Sequence, residues 1–389
     1  MSLPVLALAL VVFSLTTGEF VVAGILPDVA ADLAVSVPAA GLLVTSYAAG
    51  MIVGGPLVTV LTARLRRKPL LVGLIAVSVA GNLASALAPG YPGLLLARLL
   101  AGSVVGTFFA VTIATAASMA AAGRQASAVA RVALGMNLGI ILGAPLGTVV
   151  GQHLGWRATF LAVVACTVAA LALVLRFVPA LPGVATGPVL AELRVFARRD
   201  LQLAIALTAV GNVGAVAVFT YLAPLLTTVS GFPGAAIPLL LLLYGAGAVA
   251  GNLLGGRLAD KALMPSLIGL LTVLTGVLVL FWFAGGAQVP AAVLTFVLGG
   301  LAFAIIPGMQ VRVMSTASGA ATSAVAVNAS AFQVAAAFAG WLGGRVIENL
   351  GLPSIYLVAA LLTAAGLAVA VHSHARDRRR TTSTADARR

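Results

Sequence analysis

The sequence predicts an all-α membrane protein with twelve transmembrane helices arranged as two six-helix repeats. The apolar composition, the number of long apolar segments and an internal repeat support this fold class. Of the 389 residues, 61% are hydrophobic and only 8% are charged, whereas a soluble domain carries roughly 25% charged residues. A chain this apolar lacks the polar surface that a soluble protein needs, so we predict that it crosses the bilayer many times.

Twelve apolar segments are long enough to cross the bilayer, which takes about 20 helical residues. We number them spans 1 to 12 in chain order, and they cover residues 5–27, 39–62, 69–88, 93–117, 128–151, 158–178, 202–229, 236–258, 265–284, 290–313, 321–345 and 354–372. The longest connection is rich in proline and glycine and lies in the middle of the chain. It gives an N-terminal half (1–178), a cytoplasmic linker (179–201), a C-terminal half (202–372) and a polar tail (373–389) that we expect to be disordered.

Lysine and arginine are concentrated on one side of the predicted spans. That side, with the tail, carries 19 of the 22 basic residues, whereas the opposite connections carry only Arg157 and Arg345. Because cytoplasmic loops are enriched in Lys and Arg, we predict that both termini are cytoplasmic. The net charge of +13 does not indicate a nucleic-acid partner, since the basic residues form short clusters between apolar segments.

The two halves repeat with an offset of 197 residues. Without a gap, this offset superposes one pattern of a tyrosine and two glycines on another and also pairs further prolines and glycines (Tyr47, Gly50 and Gly54 with Tyr244, Gly247 and Gly251; Pro27 with Pro224; Gly102 with Gly299; Gly143 with Gly340; Gly147 with Gly344). Several matches at one offset indicate a duplicated unit. Two related halves with a substrate site between them near the midplane are typical of secondary transporters.

Glu19 is the only acidic residue that lies well inside a predicted span. An ionisable group at that depth costs several kcal/mol unless it is paired, hydrated or protonated, so it indicates a functional site. The alternative is a structural hydrogen bond to a neighbouring helix. The repeat places Val216 at the corresponding position of the second half, so an embedded carboxylate that couples protons has to belong to the first half.

Arg98 is a second charge within a span. Both Glu19 and Arg98 fall in the outer half of the bilayer by their distance from the span ends. If spans 1 and 4 adjoin, the two side chains could interact directly or through water. We hypothesise that Arg98 lowers the proton affinity of Glu19 in one conformation and releases it in another. The alternative is an arginine that snorkels to the outer interface.

Span 5 carries five glycines at a spacing of four residues (Gly135, Gly139, Gly143, Gly147 and Gly151). This spacing puts them on one helix face, where another backbone can approach closely. Pro145 lies within the stripe and should kink or loosen the helix. The stripe predicts either ordinary close packing or, compatibly with it, a pliable contact where the two halves meet and rock.

Four segments resemble motifs of the major facilitator superfamily. Span 5, from Gly139 through Gly143-Ala144-Pro145-Leu146-Gly147, is similar to the antiporter motif of that superfamily. Leu96-Ala97-Arg98 followed by Gly102 and Gly106 resembles its helix 4 motif, and Gly256-Arg257-Leu258-Ala259-Asp260-Lys261 its cytoplasmic loop motif. Gly18-Glu19-Phe20 through Pro27-Asp28 resembles the first helix of the twelve-helix drug:proton antiporters, which include chloramphenicol-resistance and sugar-efflux exporters. The resemblance covers the chain from Phe13 to His372.

The loop between spans 2 and 3 departs from this family pattern. The family usually has an aspartate where this chain has Ala63, before Arg64 and further basic residues, and the repeat pairs Ala63 with Asp260. In the family, that acid helps to latch the cytoplasmic side. We therefore expect a weaker latch in the first half, or one carried by Asp260 in the second half. Arg64 to Lys68 can equally be a positive-inside anchor.

Several polar and aromatic residues within spans are candidates for the substrate cavity: Phe20, Phe109, Asn212, Tyr221, Gln310 and Gln333. The amides are as readily explained as hydrogen bonds between helices, and the rings as surfaces that face lipid or a neighbouring helix. Nothing in the sequence indicates a metal site, a cofactor or catalytic residues, since it contains no HExxH, P-loop or GxSxG motif. We therefore expect neither an enzyme nor an ATP-driven pump.

The resemblance implies a major facilitator fold and a secondary transporter in the cytoplasmic membrane of a bacterium. We expect it to export a small amphiphilic, chloramphenicol-like compound in exchange for protons, and to be a monomer. The alternative within this fold is efflux of a sugar or another metabolite. A more distant alternative is a non-transporting membrane sensor, which should tolerate loss of Glu19 and which usually carries a long soluble extension.

Overall fold

The computed structural model describes residues 2–62, 64–121, 124–180, 199–316 and 321–386, and this part of the chain contains helices and no strand. The helices follow the predicted spans. They are Leu3–Phe20 and Val22–Asp32 (span 1), Val37–Thr62 (span 2), Arg67–Leu87 (span 3), Tyr91–Ser103 and Val105–Ser118 (span 4), Gln125–Leu138, Gly139–Gly143 and Ala144–Leu154 (span 5), Trp156–Phe177 (span 6), Arg199–Thr220, Leu222–Pro224 and Leu225–Val229 (span 7), Ile237–Ala284 (spans 8 and 9), Gln288–Thr316 (span 10), Ala321–Leu350 (span 11) and Ser354–Asp386 (span 12).

Ten helices among the described residues are long and apolar enough to cross a membrane. One of them contains both span 8 and span 9, because Ala262 interrupts it with non-helical dihedral angles of φ −158° and ψ 85°. Pro265 explains the interruption, since it has no backbone N–H for the carbonyl of residue 261 and its ring crowds the preceding turn. With the helix Ala321–Leu350, the described chain accommodates twelve spans.

The repeat recurs in the packing of the two halves. In the N-terminal half, a side chain on Gly50 would overlap the carbonyl oxygen of Leu99; at the same offset of 197 residues, one on Gly247 would overlap the carbonyl oxygen of Phe296. Glycine allows the backbones of spans 2 and 4, and of spans 8 and 10, to touch. The same holds for further pairs 197 residues apart (Gly54 with Ser103 and Gly251 with Gly300; Gly102 with Tyr47 and Gly299 with Tyr244).

The two halves are joined on the side opposite the termini, which we call the distal side. Thr45 Oγ1 donates to the carbonyl oxygen of Ala337 at 2.9 Å, and Gln152 Nε2 donates to that of Gly234 at 2.7 Å. Gly41 in span 2 lies directly against the Tyr221 hydroxyl of span 7. Farther along span 2, toward the termini, large apolar side chains are exposed (Val53, Leu57, Val60 and Leu61).

The glycine stripe of span 5 packs within its own half, not against the other half. Side chains on these glycines would meet residues of span 1 (Ala9, Phe13, Thr16, Thr17, Val21 and Ile25) and, near the distal end, Thr159 of span 6. The prediction of close packing is confirmed. The prediction that the stripe lies where the two halves meet is wrong. The halves meet on the other face of span 5, where Ile141 lies against Gly245 of span 8.

Span 5 changes its helical hydrogen bonding just before Pro145. Gly139–Gly143 forms a π-helical turn between two α-helical segments. Pro145 has no N–H to donate to Ile141, so the turn before it is free to widen. The loosening that the sequence predicts is therefore a one-turn π-bulge, and Ile140 and Ile141 within it lie against Gly245 of the C-terminal half.

The tail is helical through Asp386, so the expectation of a disordered tail is wrong for its described part. The reason is a buried cation in span 10. Arg312 is 8% exposed and donates to Ser373 Oγ at 2.9 Å, and it pairs with Asp377 at 2.8 Å. Arg376 also lies 3.9 Å from Asp200 at the start of span 7. The linker residues 181–198 and Ala63 lie outside the described residues.

Candidate functional site

A cavity lies between the two halves near the middle of the spans. It encloses about 610 Å³ of space, its open mouth included, and its wall is almost entirely apolar. Residues from both halves line it, among them Glu19, Phe20, Asn212, Val216, Phe219 and Tyr244. The position matches the midplane site that the sequence predicts for a repeat transporter.

Glu19 is the charged residue in this wall. Span 1 is interrupted between Phe20 and Val22, so Glu19 lies at the end of its first helical segment. The side chain is half-buried, and Oε1 accepts a hydrogen bond from Gln333 Nε2 at 3.3 Å. Because Gln333 belongs to span 11, this bond crosses from one half to the other. The structure thus gives Glu19 both a cavity to face and a partner in the opposite half.

Arg98 is fully buried beside the same turn of span 1, with 0% of its surface exposed. Its Nη1 donates to the carbonyl oxygen of Gly18 at 2.8 Å, and its guanidinium lies 4.2 Å from the centre of the Tyr47 ring. Phe160 is a second ring neighbour at 5.7 Å. The snorkelling alternative is wrong, because this side chain reaches inward to the residue before Glu19.

Two of the Arg98 nitrogens, Nε and Nη2, are buried without a hydrogen-bond partner. Among the described residues, no ion pair joins Arg98 to Glu19, so the direct contact that the sequence left open is not formed in this conformation. Asn82 of span 3 adds another unpaired atom, since its buried Oδ1 lies near Gly18 and has no partner. Unpaired buried donors and acceptors next to a carboxyl group are costly, and they suit a site that rearranges.

The second half contributes an aromatic wall. The Phe219 ring lies 4.7 Å from that of Tyr244 and 5.6 Å from that of Phe20, measured between ring centres. Phe303 packs edge-on against Tyr244 at 6.4 Å. The sequence reasoning missed Tyr244 and Phe303 as cavity residues. Tyr244 could have been found as the repeat counterpart of Tyr47, the ring beneath Arg98.

The six cavity candidates from the sequence divide into two groups. Phe20 and Asn212 line the cavity, and Gln333 reaches it through its bond to Glu19. The Asn212 amide also donates to Thr208 and to the Met309 sulfur, as the structural alternative predicts.

The structure does not bring the other three to the cavity. Tyr221 donates to the Gly340 carbonyl at 2.6 Å in the distal contact, Gln310 is exposed, and Phe109 packs beside Phe108 in the first half. Their helical rotation, which the apolar sequence around them does not define, turns them away.

The loop motif residues lie far from this cavity. Asp260 and Lys261 are exposed, and they immediately precede the bend at Ala262. Arg64 is exposed as well, and Gly256 has no neighbour where a side chain would begin. Among the described residues, Asp260 forms no ion pair. Its role as a latch therefore remains a prediction.

Comparison with known proteins identifies the family. The model of the Major Facilitator Superfamily matches residues 8–328. This chain belongs to the major facilitator superfamily. It is therefore a multi-pass membrane transporter that acts on a small molecule, and the sequence-based expectation of this fold is confirmed.

Relatives of this facilitator match along nearly its whole length. The chain is 37% identical to the chloramphenicol resistance protein of Streptomyces lividans, covering 95% of this chain and 94% of the relative. It is 35% identical to the inner membrane transport protein YdhP of Escherichia coli, with 94% of each chain covered. A probable sugar efflux transporter of Mannheimia succiniciproducens is 28% identical, covering 93% of this chain and 91% of the relative.

Solved structures support the fold. The crystal structure of a D-xylose-proton symporter superposes on this facilitator with a TM-score of 0.75, covering 95% of this chain and 96% of the other. The two sequences are 17% identical, so the likeness concerns the architecture of the two halves.

Proposed function

We propose that this facilitator exports small amphiphilic, chloramphenicol-like compounds by proton antiport, through alternating access of the cavity between its halves. The observation that carries the proposal is the position of Glu19. It is the one carboxyl group that lines the described cavity, and apart from Asn212 and Thr220 the rest of that wall is apolar or aromatic. A carboxyl in such a wall is suited to exchanging a proton as its access to water changes.

The cavity wall supports an amphiphilic substrate. Phe20, Phe219 and Tyr244 provide apolar and aromatic surface, while Glu19 and Asn212 provide a small number of polar groups. Sites for small molecules commonly combine a mostly apolar lining with a few polar groups that fix orientation. The Streptomyces lividans relative, named a chloramphenicol resistance protein, agrees with this substrate class.

The places where the halves touch support alternating access. They are joined on the distal side, by Thr45 with Ala337 and by Gln152 with Gly234. If both termini are cytoplasmic, as the lysines and arginines predict, this distal-closed conformation faces the cytoplasm. Export then requires the distal contacts to open while the opposite side closes. The relative named as an inner membrane transport protein supports a location in the bacterial cytoplasmic membrane.

Efflux of a sugar or another metabolite is the second candidate. The Mannheimia succiniciproducens relative, a probable sugar efflux transporter, favours it. The described wall offers few polar groups for a sugar, whose hydroxyls need several hydrogen-bond partners. We therefore place drug efflux first.

The test is a panel of growth-inhibition and accumulation assays in an efflux-deficient bacterial host. Chloramphenicol-like antibiotics, dyes and sugars are compared with and without a protonophore. We expect reduced accumulation of at least one amphiphilic drug, and loss of this effect when the protonophore or Glu19→Gln is present. Asp28→Asn is the matched control, because Asp28 is an exposed carboxyl on the same span.

Four results would contradict the proposal or a part of it. Reduced accumulation that persists without a proton gradient removes antiport, and Glu19→Gln with full proton-driven export removes Glu19 as the carrier. An effect on sugars with none on any drug puts the second candidate first. If none of the compounds is transported and Glu19→Gln changes nothing, the result fits the sensor alternative.

A further inference from the structure

Gln333 in span 11 is the partner of Glu19 in the C-terminal half. Its Nε2 lies 3.3 Å from Glu19 Oε1, and the side chain is only 8% exposed. The other end of the amide, Oε1, is buried and has no hydrogen-bond partner. The amide therefore presents to the site a donor that is in use and an acceptor that is not.

A carboxyl group uses these two atoms differently in its two protonation states. A carboxylate only accepts hydrogen bonds, whereas a carboxylic acid has one O–H to donate and can still accept. Ionised Glu19 can accept from Gln333 Nε2, but it can form no hydrogen bond with Gln333 Oε1, because both groups are then acceptors only. Protonated Glu19 can accept from Nε2 and also donate to Oε1. Taking up one proton thus adds one hydrogen bond to the same amide.

We propose that Gln333 couples the protonation state of Glu19 to the contact between the two halves. Protonated Glu19 forms two hydrogen bonds with the Gln333 amide and thereby stabilises the distal-closed conformation. This inference rests on the proposed function, because it names the residue through which proton binding at Glu19 acts on the conformation. Gln333 is a positioning residue in this role, since it neither carries the proton nor needs to touch the substrate.

Ionised Glu19 has a competing partner in its own half. Arg98 is held beside Gly18 by its Nη1, and its Nε and Nη2 are buried and unpaired. A hydrogen bond between an arginine and a carboxylate is stronger than one between neutral groups. The ionised form of Glu19 therefore has its strongest hydrogen bond available within the N-terminal half. The protonated form has its best hydrogen bonds available across the halves, with Gln333.

Few other titratable groups face Glu19. Among the described residues, the charged group that acts on it is Arg98, and the neutral Tyr47 phenol lies against the Arg98 guanidinium; both belong to its own half. Tyr244 of span 8 lines the same cavity from the other half. Gln333 does not ionise, so a change of pH acts on the contact between the halves through the carboxyl side of the Glu19–Gln333 pair.

The direction of this effect suits an antiporter. A ligand shifts a conformational equilibrium toward the state that binds it more tightly, and here the ligand is the proton. Protonation favours the distal-closed state, which faces the cytoplasm if the termini are cytoplasmic. A proton taken up outside would thus return the empty carrier inward, where Glu19 releases it and substrate binds.

The test measures distal closure against pH in the purified, full-length protein without substrate. Leu154→Cys and Ala235→Cys place one spin label on each half, at exposed positions beside the bond between Gln152 and Gly234. Cys166→Ala removes the one native cysteine. Pulsed electron resonance then gives the ratio of closed to open molecules.

We expect this ratio to rise about 5-fold when Glu19 becomes protonated, which corresponds to one hydrogen bond of about 1 kcal/mol. Gln333→Met should reduce the rise to less than about 2-fold, because methionine offers neither amide group. Gln333→Glu should make the rise steeper, because two facing carboxylates repel until they are protonated. Gln310→Met changes an exposed glutamine on span 10 and should behave like the parent protein.

The outcomes separate this inference from the proposed function. If Gln333→Met keeps the parent pH response while Glu19→Gln removes it, Gln333 does not couple protonation to the contact between the halves, and Glu19 can still carry the proton. If the parent shows no pH response, or Glu19→Gln retains it, the proton-carrying role of Glu19 and this inference both fail. If Gln310→Met lowers the response as much as Gln333→Met does, the effect is not specific to the pair and the inference is wrong.

Discussion

The two halves of this facilitator share a backbone arrangement but differ in chemistry at equivalent positions. Glu19 and Val216 are 197 residues apart, and both line the central cavity. Arg98 has Thr295 as its counterpart, which is also fully buried but donates only to the carbonyl of Ala291 in its own helix. At these two pairs of equivalent positions, only the first half has a charged residue.

The paired tyrosines show how the same scaffold serves two purposes. Tyr47 lies beneath the Arg98 guanidinium, whereas Tyr244 packs at a tilt against Phe219 in the cavity wall. Each tyrosine's backbone is touched by an equivalent glycine, Gly102 or Gly299. The two halves thus share their helix contacts but differ in their side chains. The first half places charge at the site, and the second half places aromatic surface there.

The largest effect should come from moving the carboxyl group to the other half. Glu19→Val should abolish proton-driven export, and adding Val216→Glu should not restore it, because Thr295 stands where a partner arginine would be needed. The measurement is drug accumulation driven by an imposed pH gradient in membrane vesicles. Val216→Gln is the control for the added bulk. Recovery in the double variant would show that the halves are equivalent for coupling.

The glycine contacts should be equally sensitive in the two halves. Gly54→Ala and Gly251→Ala would each force a methyl group into a backbone carbonyl, that of Ser103 or Gly300. Overpacking of this kind typically costs about 1–3 kcal/mol, or more when backbone must move. Both variants should lower the apparent unfolding temperature in detergent to a similar extent.

Gly73→Ala is the control for these contacts, because nothing lies near the position of its added methyl group. It should be neutral or slightly stabilising, since alanine favours a helix over glycine by about 1 kcal/mol. A strong loss of stability in only one of the two paired variants would show that the repeat is not reflected in the packing energies.

Arg98→Met should separate function from stability. The lost bond to Gly18 is worth about 1.5–3 kcal/mol, but burying the unpaired Nε and Nη2 costs about as much. We expect the unfolding temperature to change little while proton-coupled export falls at least about 10-fold. Thr295→Val, the matched change in the other half, should leave both unchanged. A large drop in stability would identify Arg98 as mainly structural.

The smallest effect concerns a distal contact that only the first half has. Asp32 accepts a hydrogen bond from Trp156 Nε1 and pairs with Arg157, and these two donors hold its pKa below the ordinary value of 3.8. A lowered pKa in the folded state gives stability that is present above the ordinary pKa and lost as the pH falls through the lowered value.

Thermal unfolding should therefore show a small extra loss of stability below about pH 4. Asp32→Asn should remove this pH dependence without changing the behaviour at neutral pH by much, because the contact is solvent-exposed. The second half has Val229 in the place of Asp32. If Asp32→Asn leaves the acid response unchanged, other carboxyl groups cause it.

The sequence predicted the charged residues of this site better than the residues that contact them. Glu19 and Arg98 stood out because a charge within an apolar span is costly wherever the helix is placed. The contact partner of Glu19 was not predicted, since Gln333 is 314 residues away and one of several amides within spans. Tyr221 and Phe109 were assigned to the cavity by residue type, and the rotation of their helices placed them elsewhere.

The sequence by itself determined the membrane class, the two repeats and the half that carries the charge. These follow from hydropathy, spacing and the burial cost of ions, which are local properties of the chain. Only the tertiary structure decided that the span 5 glycines pack on span 1, that the halves meet on the distal side, and that Gln333 meets Glu19. Such choices depend on how twelve apolar helices rotate and pack together, and helices that are apolar on all sides carry little sequence signal for their rotation.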